Sequence, residues 1–82
     1  MFTVYILYSE FLNKYYVGYT SETIEERIRK HNSNYKGGFT SNSNDWVLKY
    51  YERFKTKREA LLREKEIKAK KSRIYIEKLI LG

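Results

Sequence analysis

Glu64 stands where the sequence pattern expects an apolar residue. Ala60, Leu61 and Ile67 recur at helical spacing, and position 64 falls inside the stripe they form, while Arg58 and Lys65 can point outward. An ionised carboxylate on an inward face is costly unless it is paired or binds a cation. It reads either as one half of an ion pair with Arg27, bracing helix against sheet, or as a metal ligand. No second acid falls on the same inward surface, so paired carboxylates clamping two metal ions are not expected. Arg27 and His31 lie four residues apart and share one side of a helix. His31, near that helix's end, could equally cap its last carbonyls. Tyr5 and Tyr16 fall on two segments that read as neighbouring strands, where aromatic pairs are also ordinary stabilisers.

The elements that must position these groups follow from local pattern. Phe2–Tyr8 alternates as a strand, with Val4, Ile6 and Tyr8 on one face and Thr3, Tyr5 and Leu7 on the other. A turn over 10–14 leads to a second strand, Tyr15–Tyr19, as its antiparallel hairpin partner. Thr23 with Glu26 reads as a capping box opening a helix to about Asn32, with Ile24 and Ile28 facing the sheet. Residues 32–45 are polar, with Gly37 and Gly38 central, and read as a long loop. Trp46–Phe54 reads as a third strand. Thr56 and Glu59 form a second capping box for a helix to about Lys71, and Ser72 caps a last helix striped by Ile76, Leu79 and Ile80. The order β-β-α-β-α-α predicts an α+β fold, a three-stranded antiparallel or mixed sheet with flanking helices, in one domain over 1–82.

Composition narrows the class. Seventeen Lys/Arg against ten Asp/Glu give net +7, and residues 55–73 hold nine of the cations with three Glu, or +6 of that total. Nine of the fourteen aromatic residues are tyrosines. A small basic chain rich in aromatics reads as a partner of nucleic acid, although a basic helix face can also be merely solvated. The absence of cysteine excludes disulfides, thiolate metal sites and thiol nucleophiles, and one histidine excludes a multi-histidine zinc site. No apolar run reaches the roughly 20 residues of a membrane span. The start, MFTVYILYSEF, lacks the basic region of a signal peptide, so the expected location is the cytoplasm.

In order along the chain, Val4-Tyr5-Ile6, Tyr16-Val17-Gly18, the run ERIRKHN from Glu26 to Asn32 and LLREKEI from Leu61 to Ile67 resemble the GIY-YIG nucleases. The likeness extends from Thr3 to Ile80 and is to short stand-alone members related to the nuclease module of the bacterial excinuclease. It implies that Tyr5 and Tyr16 are the signature tyrosines, Gly18 the closing glycine, Arg27 and His31 the helix-borne pair, and Glu64 the metal ligand. Two departures are visible. Val4 replaces the first glycine, and no asparagine follows Asn44, whereas some members carry one downstream of the glutamate.

The resemblance implies cleavage of a DNA phosphodiester, in repair or processing, that depends on Mg²⁺ or Mn²⁺. Glu64 supplies one hard oxygen, and water and substrate phosphate complete such a site. Tyr5 is the candidate base. At an ordinary pKa of about 10 a phenol is ionised about once in a thousand molecules at pH 7. It can serve if nearby cations favour phenolate, or if it passes its own proton on. Arg27 would clamp phosphate, His31 would relay a proton or contact phosphate, and Tyr16 would orient water or phosphate. Lys36, Lys55, Lys57, Arg58, Lys65, Lys68, Lys70 and Lys71 are the expected backbone contacts, with Lys36 and Phe39 on the long loop that could close over the strand. The alternative is a non-catalytic nucleic-acid-binding module that uses the tyrosines for stacking. A protein partner or homodimer leaves no signature in the sequence.

Overall fold

Alternating β-branched and aromatic side chains make Phe2–Ser9 the first strand, β1, and it becomes the centre of the sheet. The computed structural model describes residues 1–33 and 43–82. Within them follow β2 (Lys14–Thr20), α1 (Ile24–Asn32), β3 (Val47–Phe54), α2 (Lys57–Lys70) and α3 (Arg73–Leu81). The sheet order is β2-β1-β3, and both pairings are antiparallel. The α+β fold expected from the sequence is thus the one observed, with an antiparallel rather than a mixed sheet. Asn13 closes the β1–β2 turn at φ 54°, a left-handed conformation that asparagine tolerates better than most residues.

Because β1 is central it is covered on both faces, and Thr3 through Leu7 are all buried. Val4 and Ile6 join Val17, Ala60 and Ile67 in one cluster, against which Tyr75, Ile76, Leu79 and Ile80 of α3 pack. Tyr5 and Leu7 face the other way, into a cluster with Trp46 that receives Tyr16 of β2 and Ile24 and Ile28 of α1. Helices α2 and α3 therefore cover one face of the sheet and α1 covers the other. Fully burying one such side chain contributes about 1.5–3 kcal/mol. Between β1 and β3 the register shifts at Ile6/Leu7, where Ile6 faces Tyr50 and Leu7 faces Leu48, leaving Lys49 as the extra residue of a bulge.

The helix starts follow their sequence signals. Thr56 and Glu59 make the full reciprocal capping box on α2, and the Ser72 side chain accepts from the Tyr75 N–H to open α3. On α1 the box is half made. Thr23 accepts from the Glu26 N–H at 3.3 Å, but the Glu26 carboxylate turns to Arg29. One face assignment needs correction. Leu61, expected to face inward on α2, is 37% exposed, and the inward positions are Ala60, Glu64 and Ile67.

Candidate active site

The strand register brings together the two tyrosines expected from the sequence. Tyr5 pairs with Gly18 and Leu7 pairs with Tyr16, so Tyr5 and Tyr16 sit on one face of adjacent strands with ring centroids 6.4 Å apart. Gly18 keeps that arrangement possible. A Cβ there would lie 2.7 Å from the Tyr5 hydroxyl oxygen and 2.9 Å from Cε2 of Tyr16. The bare backbone is thus the floor on which the Tyr5 ring lies.

Helix α1 delivers the next two groups. Their four-residue spacing puts Arg27 and His31 one turn apart over the Tyr5 hydroxyl: Arg27 Nε donates to it at 3.1 Å, and His31 Nε2 lies 3.0 Å away. The His31 ring also meets Tyr16, centroid to centroid, at 5.2 Å. Burial, then the Arg27 charge, holds the His31 imidazole down at about 4. It is neutral at pH 7, and in the tautomer protonated at Nδ1 its Nε2 is an acceptor. Since Arg27 can only donate, the Tyr5 proton is then directed to His31 Nε2. Burial pushes the Tyr5 phenol up to about 12, against the opposing pull of Arg27 and with a smaller push from Tyr16 and Glu64. Standing phenolate is therefore rarer here than in free tyrosine, so a Tyr5 acting as a base would have to pass its own proton on. The Tyr5 side chain is 0% exposed, so water reaches it only when the groups packed over it shift.

Glu64 approaches from the opposite layer. Its helix covers the Val4/Ile6 face, while Tyr5 and Tyr16 face α1, so α2 can reach them only past an edge of the sheet; β2 is the edge next to both. Lys68 lies between Tyr16 and Glu64, with Nζ 5.9 Å from the Tyr16 ring centroid and 3.1 Å from Glu64 Oε2. The bracing pair between Glu64 and Arg27 is not formed. Glu64 pairs with Lys68, and Arg27 lies 3.6 Å from Glu22, which also pairs with Lys30. The Glu64 side chain is only 15% exposed. Among the described residues no three His, Cys, Asp or Glu side chains come together, so a cation at Glu64 would draw its other ligands from water and phosphate.

The basic tract does not form one stripe. Lys57, Arg58, Lys65 and Lys68 line a groove along α2 with Leu61, Leu62 and Glu64. Lys68 and Lys71 line a second cleft, of about 460 Å³, where the β1–β2 hairpin meets the start of α3, together with Lys14 and Arg73. Lys70 instead lies over the Tyr75 ring, and Lys55 is exposed between β3 and α2. Lys36 and Phe39 lie outside the described residues. No helix among the described residues is long and apolar enough to cross a membrane.

Sequence reasoning missed the groups that hold this site in place. Asn32 at the end of α1 donates to the Trp46 carbonyl and accepts the Trp46 N–H, at 2.9 and 2.7 Å, and so ties His31's turn to the start of β3. The Ser9 and Ser43 hydroxyls donate to Asp45 Oδ1, and the Phe11 N–H donates to Oδ2; these bonds hold the Asp45 carboxyl down at about 2. Arg63 grips Glu52 of β3 through Nε and Nη2 and reaches Glu66 and Tyr75 through Nη1. A polar pair flanking the long loop was a signal for the first two, but no local pattern names the partners.

Comparison with known proteins gives the family. The sequence signature of the GIY-YIG catalytic domain matches residues 1–78. The UPF0213 protein SH2523 of Staphylococcus haemolyticus (strain JCSC1435) is 43% identical over 56 residues, which cover 68% of this chain and 67% of that protein. No solved structure gives a significant match. The match runs through both tyrosine strands, the Arg27–His31 helix and the Glu64 helix, and the chain belongs to the GIY-YIG family, a nuclease superfamily whose members generally use divalent metals.

Proposed function

We propose that this protein is a divalent-metal-dependent DNA endonuclease of the cytoplasm that hydrolyses a phosphodiester during DNA repair or processing. The observation that carries this reading is the Tyr5 hydroxyl, held between Arg27 Nε and His31 Nε2 within the field of Glu64. A structural tyrosine needs one partner. This one has a fixed cation on one side and a neutral proton acceptor on the other.

The half-buried Glu64 carboxylate is a hard oxygen donor that fits Mg²⁺ or Mn²⁺ bound through one protein ligand. When bound, such an ion would neutralise charge on the phosphate and on the leaving oxygen. The side chains supply the rest. Arg27 keeps Nε on Tyr5 and Nη1 near Glu22, and its partly exposed guanidinium presents Nη2 to a phosphate. Substrate binding opens a path to Tyr5. Water then attacks phosphorus, its proton passes to the Tyr5 oxygen, and the Tyr5 proton passes to His31 Nε2. The bond from phosphorus to the leaving oxygen breaks, and that oxygen takes a proton from solvent. Burial, and second to it the Arg27 charge, keep His31 hard to protonate, and the bound phosphate offsets the Arg27 part. Tyr16, against the His31 ring, orients the phosphate or water.

The test is incubation with labelled duplex, nicked, forked and single-stranded DNA in Mg²⁺, Mn²⁺ or chelator. Glu64→Ala and Arg27→Ala should each lower cleavage at least a hundredfold, in the range of lost transition-state contacts, while retaining the wild-type circular dichroism. Cleavage kept in either folded variant would overturn the mechanism. Binding without cleavage on every substrate would return the chain to a nucleic-acid-binding module.

A further inference from the structure

We propose that Lys68 is a resident counter-ion of Glu64 which a divalent cation must displace, so that metal entry and release of the Lys68 ammonium are one exchange. This rests on the reading of Glu64 as the metal ligand. The geometry departs from an ordinary helix-surface pair. Glu64 and Lys68 stand in the favourable i,i+4 order, 3.1 Å apart, but the carboxylate side is 15% exposed and the ammonium side 51%. Exposed pairs of this kind contribute little because water screens both charges. Here the acid is largely withdrawn from water, and Lys68 is its ion-pair partner.

An ammonium at that oxygen and a divalent ion compete for the same lone pairs, and two cations at contact distance repel. Lys68 also has somewhere to go. It is shared by the groove along α2 and the cleft beside Tyr16. That cleft also carries Lys14, Lys71 and Arg73, and no Asp or Glu is among the described residues lining it. Arg73 is held by Glu77 just outside the lining, and Lys14 and Lys71 with the arriving Lys68 still make the cleft net basic, so the displaced ammonium, on its flexible stem, becomes a backbone contact there. Metal binding thereby converts an internal ion pair into a substrate contact.

The experiment titrates Mn²⁺ into the DNA-free protein, with free Mn²⁺ read by electron paramagnetic resonance and folding by circular dichroism. Lys68→Gln should bind Mn²⁺ about three- to tenfold more tightly than wild type, because the competing charge is gone. Lys68→Arg keeps the charge and should stay within about twofold of wild type. Glu64→Gln should abolish binding. If Lys68→Gln binds no more tightly while Glu64→Gln abolishes binding, the exchange is overturned and the Glu64 reading stands. Arg as tight as Gln at position 68 overturns the exchange as well. Unchanged binding in Glu64→Gln overturns both, and no Mn²⁺ binding by any form overturns the exchange, because an ion that needs substrate phosphate to bind leaves Lys68 on Glu64 until DNA arrives.

Discussion

The Tyr5 hydroxyl works as a junction, since one oxygen positions an arginine, addresses a histidine and rests on a glycine. That makes Gly18 the most sensitive small residue of the site. A methyl group there would press on both the hydroxyl end and Cζ of the Tyr5 ring, at 2.7 and 2.9 Å. A ring buried this fully cannot swing away at low cost. Gly18→Ala is therefore expected to cost about 1–3 kcal/mol of stability, the usual range for overpacking a filled core. It should also lower kcat by more than its effect on folding, because the displaced hydroxyl loses its distances to Arg27 and His31. Thermal denaturation together with a cleavage assay on the folded fraction would check both. A variant with wild-type stability would show that the strand backs away freely.

At the scale of elements, the site depends on how the end of α1 is fixed to the sheet. Asn32 meets the backbone N–H and C=O of Trp46 at once, and the Trp46 side chain is itself buried against Tyr16. Asn32→Ala removes the side-chain bonds to both backbone groups in a partly buried place, so a loss of about 2 kcal/mol is expected, read as a lower denaturation midpoint with unchanged slope. Activity should fall too, since His31 is the preceding residue. The sequence made much of this framework legible. The alternation in Phe2–Ser9 placed Tyr5 opposite Val4, the Thr56 and Ser72 caps fixed two helix starts, and four-residue spacing put Arg27 beside His31. It also failed in an instructive way. Periodicity sorts the faces of one element but does not say which face of the sheet a helix will cover. Glu64 and Arg27 read as partners until α1 and α2 prove to lie on opposite faces, and Lys68, four residues along, takes the pairing instead. Arg63 and the Ser9–Asp45 bonds were invisible for a related reason, because their partners are 11 and 36 residues away.

For the whole molecule, the buried neutral histidine ties stability to pH. His31 is held at about 4 in the folded chain against 6.5 when unperturbed, first by burial and then by Arg27. Between those values the unfolded chain binds a proton that the folded chain refuses, so stability must rise with pH across the window. It is complete above about 6.5 and is lost progressively as pH falls towards 4, by roughly 3 kcal/mol in all at 1.36 kcal/mol per unit. Asp45 acts lower down. Its carboxyl, held at about 2 against 3.8 by Ser43, Ser9 and the Phe11 N–H, contributes stability that is present above 3.8 and lost as pH falls through 2. Glu22 and Glu52 are shifted downward from 4.5, so they too act below the upper part of the His31 window. Between pH 6.5 and 5 the slope belongs to His31. Urea denaturation at half-unit steps should show wild type losing stability steadily over that interval while His31→Gln stays flat. Parallel curves for the two proteins would mean that His31 takes up its proton readily, and with that the neutral acceptor beside Tyr5 would be lost from the hydrolytic scheme.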